Sequence, residues 1–152
     1  MAQFKIYFED FKVGNTINAG SRTITEDEII SFAKQYDPQP FHVDKEAAKE
    51  SIYGGLIASG WQTCGIMMRL VVDGCLHEAA TLGSPGIDEI RWLKPVRPGD
   101  TLTVTLTTLE SRPSVSKPDR GLVVNAWQAT NQHGEVAATL KGVGMFLRRP
   151  AE

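Results

Sequence analysis

The run Ser59-Gly60-Trp61-Gln62-Thr63-Cys64-Gly65-Ile66-Met67-Met68-Arg69-Leu70-Val71-Val72-Asp73-Gly74-Cys75-Leu76 decides the fold. It reads as one long helix, with Ser59 able to cap its first turn. Ile66, Met67, Met68, Leu70, Val71 and Val72 are spread over most of the circumference. A helix that is apolar nearly all round is a buried helix. Arg69 and Asp73 interrupt the run, so it does not qualify as a membrane span. What lies outside it must therefore be arranged to cover it.

Downstream, past the turn at Gly83-Ser84-Pro85-Gly86, the period changes from helical to extended. Ile87, Ile90, Trp92 and Leu93 suit one strand, and Thr101 to Thr107 alternates cleanly as the next. Leu122–Thr130 and Val136–Leu147 read as two more, joined by a hairpin at Asn131-Gln132-His133-Gly134. Arg112 to Gly121, with two prolines and several charges, predicts an exposed loop. Upstream, Asn15–Ile24 suits a first strand. Thr25-Glu26-Asp27-Glu28 is a capping-box pattern that should open a helix with Ile29, Ile30, Ala33 and Tyr36 on its inner side. Pro38 and Pro40 end that helix near Asp37, Asp44 caps a short helix over Lys45–Lys49, and Gly54-Gly55 marks a turn. Helices segregated from an antiparallel sheet make an α+β domain. The economical solution is a curved sheet wrapped around the long helix.

The 152 residues fit one domain over 1–152, and 41% hydrophobic with 22% charged residues is ordinary for a soluble globular chain. A net charge of −2 without a Lys/Arg cluster offers nothing to nucleic acid or an anionic membrane. Met1 to Gly20 contains no signal-peptide core, and Cys64 and Cys75 have no metal or CxxC spacing. The expectation is a cytoplasmic protein with reduced thiols, no metal site and no cofactor. His77 and His133 read as surface residues, and Arg91, Lys94 and Arg97 as solvated charges at a strand end.

Chemistry concentrates in Tyr36-Asp37-Pro38-Gln39-Pro40-Phe41-His42. A carboxylate and an imidazole five positions apart, on a stretch stiffened by two prolines, suit general acid–base work. Ser59-Gly60 follows at the start of the long helix, where free amides and the positive dipole end can receive developing negative charge. Glycine there leaves the backbone bare for a ligand.

Asp37-Pro38-Gln39-Pro40-Phe41-His42 resembles the hydratase motif Gly-Asp-x-Asn-Pro-x-His of MaoC-like dehydratases and R-specific enoyl-CoA hydratases. The capped helix before it, Gly55–Trp61 and Ile90–Asp100 resemble the same family, so the likeness spans about residues 7 to 147. It implies a hotdog fold with sites formed between paired subunits, hence at least a homodimer. It also implies reversible addition of water to a trans-2-enoyl-CoA, giving a 3-hydroxyacyl-CoA. Carried over by position, Asp37 and His42 are the catalytic pair, Gly60 supplies the amide for the thioester carbonyl, and Ser59 and Gln39 flank the substrate. Tyr36 stands where the family usually has Gly, Gln39 where it has Asn, and Ser59 where it often has His. Two other readings are a hotdog acyl-CoA thioesterase, which has no need of a paired His, and a non-catalytic acyl-CoA-binding partner subunit, which has no use for the pair at all.

Overall fold

The computed structural model of the chain describes residues 4–151. Strand β1 (Thr16–Thr23) leads into helices α1 (Glu26–Tyr36), α2 (Pro40–Val43), α3 (Lys45–Lys49) and α4 (Gly60–Gly74). Strands β2 (Gly86–Trp92), β3 (Thr101–Pro113), β4 (Arg120–Thr130) and β5 (Val136–Leu147) complete the chain. The five strands form one sheet in the order β1-β3-β4-β5-β2, antiparallel throughout. The α+β expectation holds.

Alternation in β3 turns Leu102, Val104 and Leu106 inward, all at most 1% exposed, while the intervening threonines face outward. Val123 and Ala129 of β4 and Ala138, Leu140 and Phe146 of β5 extend the same inner surface. Ile66, Met67, Leu70 and Val71 of α4 pack into this core. Each such aliphatic side chain withdrawn from water is worth roughly 1.5–3 kcal/mol. The helix crosses the sheet edge closely. A Cβ on Gly74 would lie 2.7 Å from the Ala19 backbone oxygen, so only glycine fits at that crossing.

Several expectations need correction. α4 is not buried all round: Trp61 is 58% and Met68 44% exposed, on a face that also bears Gly65. Tyr36 does not face inward but is 72% exposed, its ring tilted against Phe32. The capping box is half made. Thr25 Oγ1 accepts from the Glu28 amide, but the Glu28 carboxylate pairs with Arg22 instead of reaching back. β3 and β4 run well into the expected loop, leaving only 114–119 between them. Leu93 lies past the end of β2. The N-terminal segment, not assigned to any element above, supplies Tyr7, Phe8 and Phe11 to the core around a 3-10 turn at Phe8–Asp10. Phe8 covers Gly121, and Phe11 stacks on Phe146 at 4.3 Å.

Candidate active site

Asp37 is the C-cap of α1, where the following proline stops the helix. The next few residues are not continuously extended, as the two prolines implied. Pro40 sits at the first position of α2, where a missing N–H costs nothing, and that single turn carries Phe41 and His42. The result folds the imidazole back onto the carboxylate. His42 Nε2 lies 3.2 Å from Asp37 Oδ2.

Each ring nitrogen of His42 has a defined partner. Nδ1 is 2.7 Å from the carbonyl oxygen of Ile57, which can only accept, so Nδ1 bears a proton. Nε2 is left for Asp37. A neutral ring facing an ionised carboxylate would oppose two acceptors, whereas one proton between Nε2 and Oδ2 satisfies both. Phe41 and the loop before α4 bury the ring: His42 is 4% exposed, and Phe41 packs edge-on against it at 4.5 Å. Ile57 had no signal in the sequence, because its contribution is a main-chain atom.

Three side chains hold Asp37. Ser59 donates its hydroxyl proton to Oδ2 at 2.7 Å, Gln39 donates its amide to Oδ1 at 2.7 Å, and His42 faces Oδ2. Burial pushes the Asp37 carboxyl up, but the Ser59 and Gln39 donors and the positive form of His42 outweigh it and hold it below the usual carboxylate range. Ser59 also caps α4, accepting from the Trp61 amide at 3.3 Å, and is 0% exposed. Both directions of its hydroxyl are thus used inside the protein.

Asp37, Gln39, His42, Gly60, Trp61 and Trp92 share a cleft of about 460 Å³ with Tyr53 and Lys94. Gly60 is the first residue of α4, and its amide makes no hydrogen bond among the described residues. The space a Cβ would take there is not open, contrary to the expectation of bare backbone facing a ligand. The Trp92 indole fills it, at 2.4 Å from the ideal Cβ position, and packs edge-on to Trp61. Trp92 read in the sequence as one more strand residue; nothing there pointed to the glycine. Of the nearby cations, Lys94 pairs with Glu135, and Arg97 donates to the Tyr53 carbonyl at 2.6 Å, bracing the turn at the cleft rim. His77 and His133 lie exposed and away from the cleft. No cluster of potential metal ligands occurs among the described residues, and none of their helices is long and apolar enough to cross a membrane.

The sequence pattern of the MaoC-like domain matches residues 10–128, and the chain belongs to the MaoC-like dehydratase family. It is 31% identical over 106 residues to an (R)-specific enoyl-CoA hydratase from Rhodospirillum rubrum, covering 66% of this chain and 68% of that protein. A MaoC-like dehydratase structure from Rhodospirillum rubrum is 41% identical, covers 97% of this chain and 100% of its own, and superposes with a TM-score of 0.90. The unliganded R-hydratase from Pseudomonas aeruginosa, 23% identical over 97% of this chain and 92% of its own, has a TM-score of 0.73. That likeness is one of fold, and the fold is the hotdog.

Proposed function

We propose that the chain is a hydro-lyase that reversibly adds water to a trans-2-enoyl-CoA, with Asp37 and His42 as its acid–base pair. One observation carries the reading: a carboxylate and an imidazole 3.2 Å apart, each fixed by other protein groups, at the wall of a cleft. A water held by both would lose a proton to the pair while its oxygen attacks the β-carbon. The pair would return a proton to the α-carbon, so that the elements of water are added across the double bond. Negative charge passes through the thioester oxygen as an enolate. That the Gly60 amide opens α4 at its positive end, with no hydrogen bond among the described residues, supports a role for it in receiving that charge. In the reverse direction the same groups remove water from a 3-hydroxyacyl-CoA.

No redox cofactor or metal enters this chemistry. We place the protein in the cytoplasm, as one hotdog domain, working at least as a homodimer. Outward-facing Trp61, Met68, Ile87 and Trp92, beside the free edge of β2, support that assembly. The test is a panel of enoyl-CoA esters differing in acyl length and branching, followed for loss of the conjugated double bond and for free thiol. Hydration without thiol release supports the reading. Thiol release that survives loss of His42 would favour a thioesterase, and inactivity of the purified chain toward every ester would favour a binding subunit.

A further inference from the structure

We propose that Ser59 is a positioning residue: its hydroxyl, held between the first turn of α4 and Asp37, orients the carboxylate toward His42 and steadies its negative charge. The role rests on the hydratase reading of that pair and deepens it, since the family likeness places Ser59 only beside the substrate.

The geometry leaves the hydroxyl little choice. Ser59 has one proton to donate, and the carboxylate 2.7 Å away can only accept it. Its oxygen in turn accepts from the Trp61 amide at 3.3 Å, one of the donors that a helix start leaves without intrahelical partners. The positive end of α4 is therefore passed through the hydroxyl to Asp37 as a charge-assisted hydrogen bond. Oδ2, the oxygen that Ser59 holds, is also the one that faces His42. Gln39 holds the other oxygen, but from an exposed position. Ser59 is fully buried, so neither water nor a second rotamer can readily replace it. A residue that serves only as a helix cap would not need a carboxylate partner from 22 positions away.

Other titratable groups at the cleft are His42 from α2, Tyr53 and Lys94. Lys94 is engaged with Glu135, and Arg97 with the Tyr53 carbonyl. Ser59 is the strongest of the influences that lower the Asp37 carboxyl, ahead of Gln39 and His42.

Ser59→Ala and Ser59→Gly test this together. Glycine caps a helix nearly as well as serine, so Ser59→Gly removes the hydroxyl while keeping most of the cap. Asp37 is followed by carbon NMR of the carboxyl in protein labelled at aspartate, and hydration kinetics are measured across pH. Both variants should move the Asp37 titration to higher pH. Both should lower kcat by about 10- to 100-fold, the effect of losing one hydrogen bond to a charged group, with KM within about twofold. Only Ser59→Ala should also lose clear thermal stability. An unchanged Asp37 titration in Ser59→Gly overturns the proposal, as does a raised KM with kcat intact, which would make Ser59 a substrate contact. If the wild-type chain hydrates no enoyl-CoA, the functional reading fails, and the carboxyl titration still decides the role of Ser59.

Discussion

Asp37 and His42 act on the same water in the proposed reaction, so their losses should not add. Asp37→Asn and His42→Ala are each expected to lower hydration by about 10²–10⁴-fold, with the double variant little worse than either. Steady-state kinetics on correctly folded protein checks this, and near-wild-type activity in either single variant sinks the mechanism. The Asp37 carboxyl, held below its ordinary value of 3.8, also couples to stability. A group whose pKa is lower folded than unfolded contributes stability above the unfolded value and loses it as pH falls through the folded one. Wild-type protein should therefore lose more stability than Asp37→Asn as the pH drops below about 4, read by urea unfolding at a series of pH values. Gly60→Ala now carries a different expectation from the one its helix position alone implies. Alanine favours a helix interior by about 1 kcal/mol, but here its methyl must displace the Trp92 indole, and overpacking typically costs about 1–3 kcal/mol. The variant should be less stable and less active, and adding Trp92→Ala should restore thermal stability. Recovery of full activity in the double variant would show that Gly60 serves packing alone. At this scale the sequence marked Asp37, His42 and Gly60 only as candidates; the fold brings the carboxylate and the imidazole to 3.2 Å and sets Trp92, not open space, against the glycine. The Ile57 carbonyl, the Trp92 contact and the Ser59 bond to Asp37 needed the folded chain, because each joins atoms that no local pattern brings together.

Elements whose reading rests on a local device were largely legible. β5, the Asn131–Gly134 hairpin and the Asp44 cap fall where the sequence puts them, since each depends on an alternation, a turn residue or a cap. α2 was hidden because one turn is too short for periodicity to register, and because proline reads as a helix stop before it reads as a helix start. The N-terminal segment was hidden for a similar reason: Tyr7, Phe8 and Phe11 follow neither period, and only the sheet behind them explains their burial. α4 was read as buried because it is apolar on nearly every side, a property shared by a core helix and by a helix that keeps one face for a partner. Its approach to β1 invites a direct test. Gly74→Ala should destabilise by about 1–3 kcal/mol in denaturant unfolding, despite the better helix former, because backbone rather than a movable side chain blocks the methyl. An unchanged midpoint would mean that α4 can shift along the sheet at little cost.

Of the sheet's two edge strands, β1 is crossed by α4, whereas β2 is exposed along nearly its full length, carries Ile87 at 48% exposure and lies in the half of the molecule that also bears Met68 at 44%. Such an edge invites pairing, and a second copy of the same edge offers the same pattern in reverse. Sedimentation should give a dimer at micromolar concentration, and Met68→Glu combined with Ile87→Lys should shift it toward monomer. A wild-type monomer with full activity would contradict the assembly. The strand order has a separate consequence, one of timing. β3, β4 and β5 are successive neighbours, whereas β1 must find β3 across 78 to 91 residues. Loop closure of that length is costly, so the three-strand meander is the natural nucleus and the outer strands dock late. During synthesis, Asp37, His42 and Ser59 leave the ribosome well before that meander exists. The residues of the proposed chemistry are thus written in the chain's first half but wait, unassembled, for the last strands to be made.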